Sequence, residues 1–379
     1  MIINGVNMQF IDLGAQRARI KDKINAAITH VVASGKYILG PKVTEFEERL
    51  ADYLGVKHVV ACANGTDALK MPLMARNIGP GDAVFCPSFT FSATAEVVAL
   101  VGAEPVFVDV RPDTFNIDVD KLCEAIEMIK KEGRLKPKAI IAVDLFGLSA
   151  DYAQITKVAV KENLFVIEDA AQSIGGKSGN IMCGAFGDVA ATSFYPAKPL
   201  GCYGDGGAMM TNDEDLAAVL RSILFHGKGE TQYDNVRIGL NSRLDTIQAA
   251  ILLEKFVIFE DEMEKRLAIA QYYSNNLRDI VTVPEVGADA RCAYAQYTIK
   301  AKDRDRLQDY LQKNSIPTMV YYKTPLHQQL AYKHFPYVKG SLSVSESLGN
   351  CVLSLPMHPY LTQSDQDMII QKIRDFYHS

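Results

Sequence analysis

Apolar positions along the chain fall into two periods, and their alternation sets out the architecture. In the segment 15–33, Ile20, Ile24, Ile28 and Val31 lie three or four residues apart, which predicts an amphipathic helix ending before Ser34-Gly35. Val43, Phe46, Leu50, Tyr53 and Leu54 share one face of a second helix. Short apolar runs follow at 58–62, 83–86, 105–109, 139–143, 164–167 and 189–194, each bounded by turn residues and each read as a buried strand. Helical patterns at 93–101 and 152–163 separate them, and a further helix begins after Asn64-Gly65-Thr66, with Pro72 predicting a kink or a late start. Strands alternating with helices imply right-handed crossovers and an α/β fold with a mostly parallel central sheet covered on both faces. The loops around Gly65, Phe91, Asp169 and Lys198 then gather along one sheet edge.

The pattern changes in the second half of the chain. A helix at 213–224 and a polar loop at 226–235 lead to a turn at 239–245 that opens a long helix running past Lys255. The charged stretch 260–266 reads as a solvated helix face linking two domains. Beyond Ala293, strands at 294–299 and 318–321 and helices at 304–313 and 364–377 suit a smaller α+β domain. The division expected is a large α/β domain over 1–250 and a small α+β domain over 251–379, with the N-terminal helix able to pack against the latter.

Composition narrows the function classes. A net charge of -5 argues against a nucleic-acid surface. No apolar run reaches the length of a membrane span and the first residues lack the pattern of a signal peptide, so a cytoplasmic protein is expected. The seven cysteines stand singly with no Cys-x-x-Cys, which suits neither a disulfide framework nor a zinc site. His226, His327 and His358 show no metal-ligand spacing, so ordinary hydrogen-bonded histidines are expected and no metal.

Chemistry concentrates in the stretch T-S-F-Y-P-A-K-P-L-G-C-Y-G-D-G-G-A-M-M-T, residues 192–211. Lys198 stands between an apolar strand and a cluster of glycines (Gly201, Gly204, Gly206, Gly207) that lets backbone approach a ligand closely. Partial desolvation makes such an ammonium easier to deprotonate, and a neutral amine condenses with an aldehyde. Upstream, the strand 164–167 delivers Asp169 to a sheet edge. An amine and a strand-end carboxylate are what pyridoxal phosphate requires, one for its aldehyde and one for its pyridinium nitrogen. The turn at Asn64-Gly65-Thr66 offers a helix N-terminus for a phosphate. Plainer readings stand beside these: Thr66, Asp67 or Asp169 as helix caps, Phe91 as a core aromatic, Ser193 as a strand hydroxyl, Arg243 as an interface salt bridge.

Taken together, N-G-T-D-A-L, P-S-F-T-F-S-A-T, E-D-A-A-Q-S, S-F-Y-P-A-K-P-L-G-C-Y-G-D-G-G-A and N-S-R-L-D-T-I-Q-A-A-I resemble, over nearly the whole chain, the DegT/DnrJ/EryC1/StrS sugar aminotransferases. The resemblance implies the fold type I (aspartate-aminotransferase-like) architecture and a pyridoxal 5'-phosphate cofactor bound to Lys198 as a Schiff base. It further implies that Asp169 pairs with the pyridine nitrogen, Gln172 contacts the ring hydroxyl and Phe91 stacks on the ring. Gly65, Thr66 and Ser193 would hold the phosphate, with Asn241 reaching it from the partner of a homodimer with shared active sites. Arg243 would lie at that interface and grip an anionic group, and Tyr321 and Tyr322 would face substrate. The implied reaction carries an amino group from L-glutamate to a nucleotide-linked keto sugar for cell-surface polysaccharide. A UDP-linked 3-keto sugar is expected, and Leu355 to Leu361, L-P-M-H-P-Y-L, points toward a glucuronate. Members often carry a histidine where Tyr321 stands, which leaves dTDP-linked 3-keto or 4-keto sugars as alternatives. A dehydratase of the same family would have histidine in place of Lys198, and a non-catalytic regulator on this fold would need a ruined site. A dinucleotide-binding oxidoreductase would need more glycines than Ala63-Asn64-Gly65-Thr66 supplies.

Overall fold

The computed structural model describes residues 8–231 and 233–378. The chain opens with α1 (Leu13–Arg19) and α2 (Lys21–Ser34), so the single helix expected over 15–33 is two, broken at Ile20, whose φ of -125° and ψ of 20° leave the helical region. The apolar stripe runs from the break into α2, where Ile20, Ile24 and Ile28 pack against Ile251. α3 (Pro41–Leu54) starts with proline in its first turn, where no N–H is missed, and stops at Gly55 in the left-handed conformation. There follow β1 (His58–Cys62), α4 (Gly65–Ala75), β2 (Asp82–Pro87), α5 (Ala93–Leu100), β3 (Glu104–Val108), α6 (Val119–Glu132), β4 (Lys136–Val143), α7 (Tyr152–Glu162) and β5 (Phe165–Asp169). After a small hairpin, β6 (Lys177–Ser178) and β7 (Ile181–Met182), come β8 (Val189–Ser193), β9 (Gly207–Thr211) and α8 (Glu214–Ile223). α4 begins well before Pro72 rather than late and continues through it; the proline is buried and the helix ends three residues later.

Seven strands form the central sheet in the order β1-β9-β8-β5-β4-β2-β3. All run parallel except β9, which is antiparallel to both neighbours. Alternate side chains feed two faces, as the pleat requires. Val60, Cys62, Ile141, Ile167, Val189 and Met209 meet α4, α5 and α8 on one face. On the other, Phe85, Ile140 and Val166 meet α6 and α7, while Val59, Ala61, Ala190 and Met210 meet α3 and the next helix.

That next helix is α9 (Thr246–Leu277), the longest in the chain. Its first half places Ala249, Leu252, Leu253, Phe259 and Met263 in the sheet's core. Its second half places Ile269, Ala270, Tyr273 and Leu277 in a separate core. The latter is completed by β11 (Tyr297–Lys300) paired with β12 (Val352–Leu355), by α10 (Arg304–Lys313) and by α12 (Gln363–His378), with β10 (Ala290–Arg291) joining β6 and α11 (Ser343–Cys351) leading into β12. A division at 250/251 therefore cuts α9 in its opening turns. The C-terminal segment also crosses back: Leu326, Tyr332 and Leu342 pack into the large core, and the Phe107 N–H donates to the Pro336 carbonyl at 3.0 Å. The strand expected at 318–321 reduces to one bridge, Met319 to Ser354, just after Pro317, which has no N–H for a ladder.

The charged stretch 260–266 is only half solvated. Glu262 and Arg266, one turn apart, are 3% and 4% exposed, against the expected open face. Glu262 accepts the Gln16 amide at 2.9 and 3.1 Å and the Tyr360 hydroxyl; Arg266 donates to the Tyr294 and Met357 carbonyls at 3.1 and 3.2 Å. α9 is thus bolted to α1 and to the C-terminal unit through its charged residues. Among the described residues no helix is long and apolar enough to cross a membrane.

Candidate active site

Because β1, β2, β4, β5 and β8 run the same way, the segments leaving their C-terminal ends share one edge of the sheet. Asp169, the last residue of β5, is 6% exposed. Its carboxylate accepts the Ala171 N–H at 3.2 Å and the Thr94 hydroxyl at 3.2 Å. Burial pushes its pKa up to about 6, against the Ala171 N–H, the charge of Lys198 and the Thr94 hydroxyl, which all favour the ionised form. Lys198 lies on the loop leaving β8, its N–H bonded to the Tyr195 carbonyl at 2.9 Å, and its side chain is half-buried. Desolvation lowers its pKa while Asp169 opposes the shift. A carboxyl that resists ionisation and an amine that releases its proton readily therefore sense each other across one space.

Beside them, α4 begins at the end of β1. Its cap is Asn64, not Thr66 or Asp67: the Asn64 side chain accepts the Asp67 N–H at 2.8 Å and its carbonyl accepts the Ala68 N–H at 3.1 Å. The Gly65 and Thr66 N–H groups, in the helix's first turn, are left facing outward at the positive end of its dipole. Only glycine fits here, since a Cβ on Gly65 would stand 2.6 Å from the Ser193 Cβ. Gly207 is equally tight, with an added Cβ 2.5 Å from the Asn64 carbonyl carbon. Ser193 accepts the Tyr195 N–H at 3.2 Å and keeps its own hydroxyl proton to offer. Gly65, Thr66 and Ser193 thus form one cradle for an anion.

Phe91 is 57% exposed, so it is no core aromatic; its ring meets Tyr322 at 6.4 Å. Tyr322 also touches Phe89 at 6.1 Å and Tyr321 at 5.7 Å, and burial raises its phenol pKa. Gln172 spends its carbonyl oxygen on the Phe146 N–H at 2.6 Å and turns its amide N–H toward the Tyr322 hydroxyl at 3.4 Å. The structure therefore gathers Asp169, Gln172, Tyr322 and Phe91 through direct contacts or shared neighbours. Asn241 and Arg243 stand apart: Arg243 donates to the Asn241 side chain and lies over the Phe225 ring at 4.8 Å. Between them, the Ser242 hydroxyl accepts the Ala63 N–H at 3.3 Å, tying this segment to the turn that starts α4.

Two features escape the motif reading. Thr94 reaches Asp169 across 75 positions, and Thr90 bonds Thr94 at 3.2 Å; the one-turn spacing of these threonines in P-S-F-T-F-S-A-T was the available signal. Ser88, three residues before Phe91, bonds His327 Nδ1 at 2.6 Å, and His327 Nε2 lies 3.1 Å from Glu346. No local pattern announces that link. Further from the edge, Asp144 accepts the Ala150 N–H, the Tyr152 hydroxyl and the Ser173 hydroxyl, while Glu168 accepts the Gly184 and Phe186 N–H groups. Burial raises both carboxyls.

Comparison with known proteins places this geometry. The model of the DegT/DnrJ/EryC1/StrS aminotransferase family matches residues 18–374. UDP-2-acetamido-2-deoxy-3-oxo-D-glucuronate aminotransferase of Pseudomonas aeruginosa is 48% identical over 356 residues, covering 93% of this chain and 96% of the relative. Among solved structures, a DegT DnrJ EryC1 StrS aminotransferase from Brucella abortus has a TM-score of 0.97 and 68% identity, covering 98% of this chain and all of that one. NtdA from Bacillus subtilis, with bound cofactor PMP, has a TM-score of 0.89 and 30% identity, covering 99% of this chain and 86% of the other. The chain belongs to the DegT/DnrJ/EryC1/StrS aminotransferase family.

Proposed function

We propose that this chain is a pyridoxal-phosphate-dependent aminotransferase carrying an amino group from L-glutamate to the keto carbon of a UDP-linked 3-keto sugar, a 3-oxo-glucuronate first among them, for cell-surface polysaccharide. The observation that carries the chemistry is Asp169 and Lys198, at the ends of neighbouring strands, each shifting the other's proton affinity beside a glycine-walled helix N-terminus. The 48% identity to the Pseudomonas enzyme supports the choice of sugar.

The residues present fit the cofactor. Asp169 is a buried carboxyl that no cation among the described residues bonds, and a protonated ring nitrogen would restore its charge. The Gly65–Ser193 cradle has the close backbone and the donors that a phosphate dianion needs, and Phe91 leaves a bare aromatic face to cover a ring. Bound there, pyridoxal phosphate supplies an aldehyde for the amine and a ring that draws off electrons as a C–H bond breaks. Asp169 would hold the proton on the ring nitrogen. Lys198 would supply the amine that holds the aldehyde, and its neutral amine, when free, would move the proton at the donor's α-carbon. Its lowered pKa serves both tasks, since only the neutral amine attacks or accepts. The two half-reactions run over the same residues in opposite directions, with the 2-oxo acid leaving before the keto sugar reacts.

We place the enzyme in the cytoplasm, in keeping with seven free thiols. Its working form is a homodimer in which the partner's Asn241 completes the phosphate cradle and Arg243 grips an anionic group of donor or sugar. Exposed Tyr37, Ile38, Leu39 and Ile238, near-neighbours in sequence or structure of the α9 start, offer it an apolar surface.

Borohydride reduction of the protein loaded with pyridoxal phosphate, followed by peptide mapping, should place the label on Lys198, and glutamate added beforehand should abolish it. A label elsewhere, or none, sinks the reading. Presenting the pyridoxamine form with UDP- and dTDP-linked 3-keto and 4-keto sugars should show turnover with the UDP-linked 3-keto sugar; exclusive use of a dTDP sugar would overturn the substrate assignment.

A further inference from the structure

The histidine of P-L-H-Q-Q, expected to be an ordinary hydrogen-bonded one, bonds a segment that runs into the candidate site. His327 is 6% exposed and Ser88 fully buried. Three bonds join their two segments: Ser88 Oγ to His327 Nδ1 at 2.6 Å, the Leu326 N–H to the Ser88 carbonyl at 2.8 Å, and the His327 N–H to Ser88 Oγ at 3.4 Å. Glu346, on α11, faces the other ring nitrogen at 3.1 Å. An ionised carboxylate only accepts, so Nε2 carries the ring proton and Nδ1 is left to accept the Ser88 hydroxyl.

What Ser88 anchors decides the consequence. It opens the loop between β2 and α5, and just past that loop, in the first turn of α5, Thr94 donates to Asp169. Midway stands Phe91, more than half exposed and steadied by Tyr322, itself on the segment that leads to His327. The loop is therefore fixed at one end by His327 and at the other by Asp169, with Phe91 between. Tyr322 leans on Phe89 and Phe91 of the same loop, so one imidazole registers two walls of the site against each other. The bond is buried, where a lost partner is felt most.

We propose that His327 is a positioning residue: through Ser88 it sets the 88–94 loop, and with it the tilt of Phe91 and the hydrogen bond from Thr94 to Asp169. This rests on the cofactor reading above, but it makes a claim about the chain that holds without cofactor. A displacement of about 1 Å in a reacting geometry costs up to a hundredfold in rate.

The test compares wild type with His327→Ala, His327→Asn, His327→Gln and Ser88→Ala. In the cofactor-free protein, amide hydrogen exchange over 88–94 should speed up about tenfold or more in His327→Ala and Ser88→Ala, while exchange in β4 and β5 stays at the wild-type rate. Asparagine puts an acceptor near the place of Nδ1 and should bring exchange back to within about twofold; glutamine puts its polar atoms near Nε2 and should not. In the loaded protein, the same two loosened variants should bind pyridoxal phosphate about tenfold more weakly and lose kcat more than they raise KM for the sugar. Wild-type exchange over 88–94 in both His327→Ala and Ser88→Ala overturns the proposal, as does an asparagine variant no better than alanine. Should His327→Ala fail to fold, Ser88→Ala, which removes one oxygen atom, decides alone. Failure of the cofactor reading would show separately, as absent borohydride labelling of wild-type Lys198 with the exchange pattern intact.

Discussion

Asp169 is a residue whose folded state is costly until something positive faces it. Its pKa is raised from 3.8 to about 6, so the folded apoprotein binds a proton that the unfolded chain has already released between those values. The favourable contribution is present below about pH 4 and is lost as pH rises through about 6, a step of about 3 kcal/mol from the size of the shift. Urea midpoints of apoprotein should show that step in wild type and a smaller one in Asp169→Asn. Gly65→Ala should weaken pyridoxal phosphate binding about tenfold or more, measured by titration of the apoprotein, because the new methyl must displace Ser193 from 2.6 Å. Both residues were legible from sequence, since each sits where a local strand signal ends. Thr94 and His327 were not: their partners lie 75 and 239 positions away, and the one-turn spacing of Thr90 and Thr94 pairs them with each other without naming Asp169 as a partner. The cap of α4 was misread for a subtler reason, as Asn, Thr and Asp all stand there and only the backbone geometry chooses Asn64.

At the scale of elements, the strands that carry chemistry were read nearly to their ends, because buried parallel strands leave continuous apolar runs between turns. β9 was missed as a strand: Gly207-Ala208-Met209-Met210-Thr211 follows a glycine cluster and has no β-branched residue before its last position. α9 teaches the opposite lesson. A run of charge looked solvated, yet Glu262 and Arg266 fall on one face, where their bonds tie three elements together. Glu262→Ala should lower stability by about 2–4 kcal/mol in urea unfolding, since it strands the Gln16 amide and the Tyr360 hydroxyl and leaves Arg266 without its nearest counter-charge. Glu264→Ala, whose side chain is mostly exposed and only weakly engaged by Arg291, should cost under about 0.5 kcal/mol.

Across the whole molecule, the large and small cores are joined by one continuous helix and by a C-terminal segment that returns to the sheet, so they should unfold together rather than as separable domains. Differential scanning calorimetry should show one transition, whereas two resolved transitions would contradict this. The proposed dimer makes a sharper prediction. If the partner's Asn241 completes each site, Lys198→Ala and Asn241→Ala homodimers should each be impaired. Unfolded and refolded together in equal amounts, they should regain about a quarter of wild-type activity, because half the dimers are mixed and each mixed dimer has one intact site. No recovery would confine each site to a single chain.

The reversed strand has a last consequence. Ser193 and Gly207 are paired across β8 and β9, so the chain leaves the sheet and re-enters it at adjacent rungs, roughly 5 Å apart. The stretch from Phe194 to Gly206 between those rungs is pinned in its middle as well: Phe194, Leu200 and Cys202 are buried in the core shared with α3 and α9, and the Gly201 carbonyl accepts the Lys255 ammonium at 2.6 Å. The reach of a single amine is thereby set by the same packing that carries the sheet, so trimming a distant apolar side chain such as Phe194 or Leu200 should mis-aim it as surely as a change beside it.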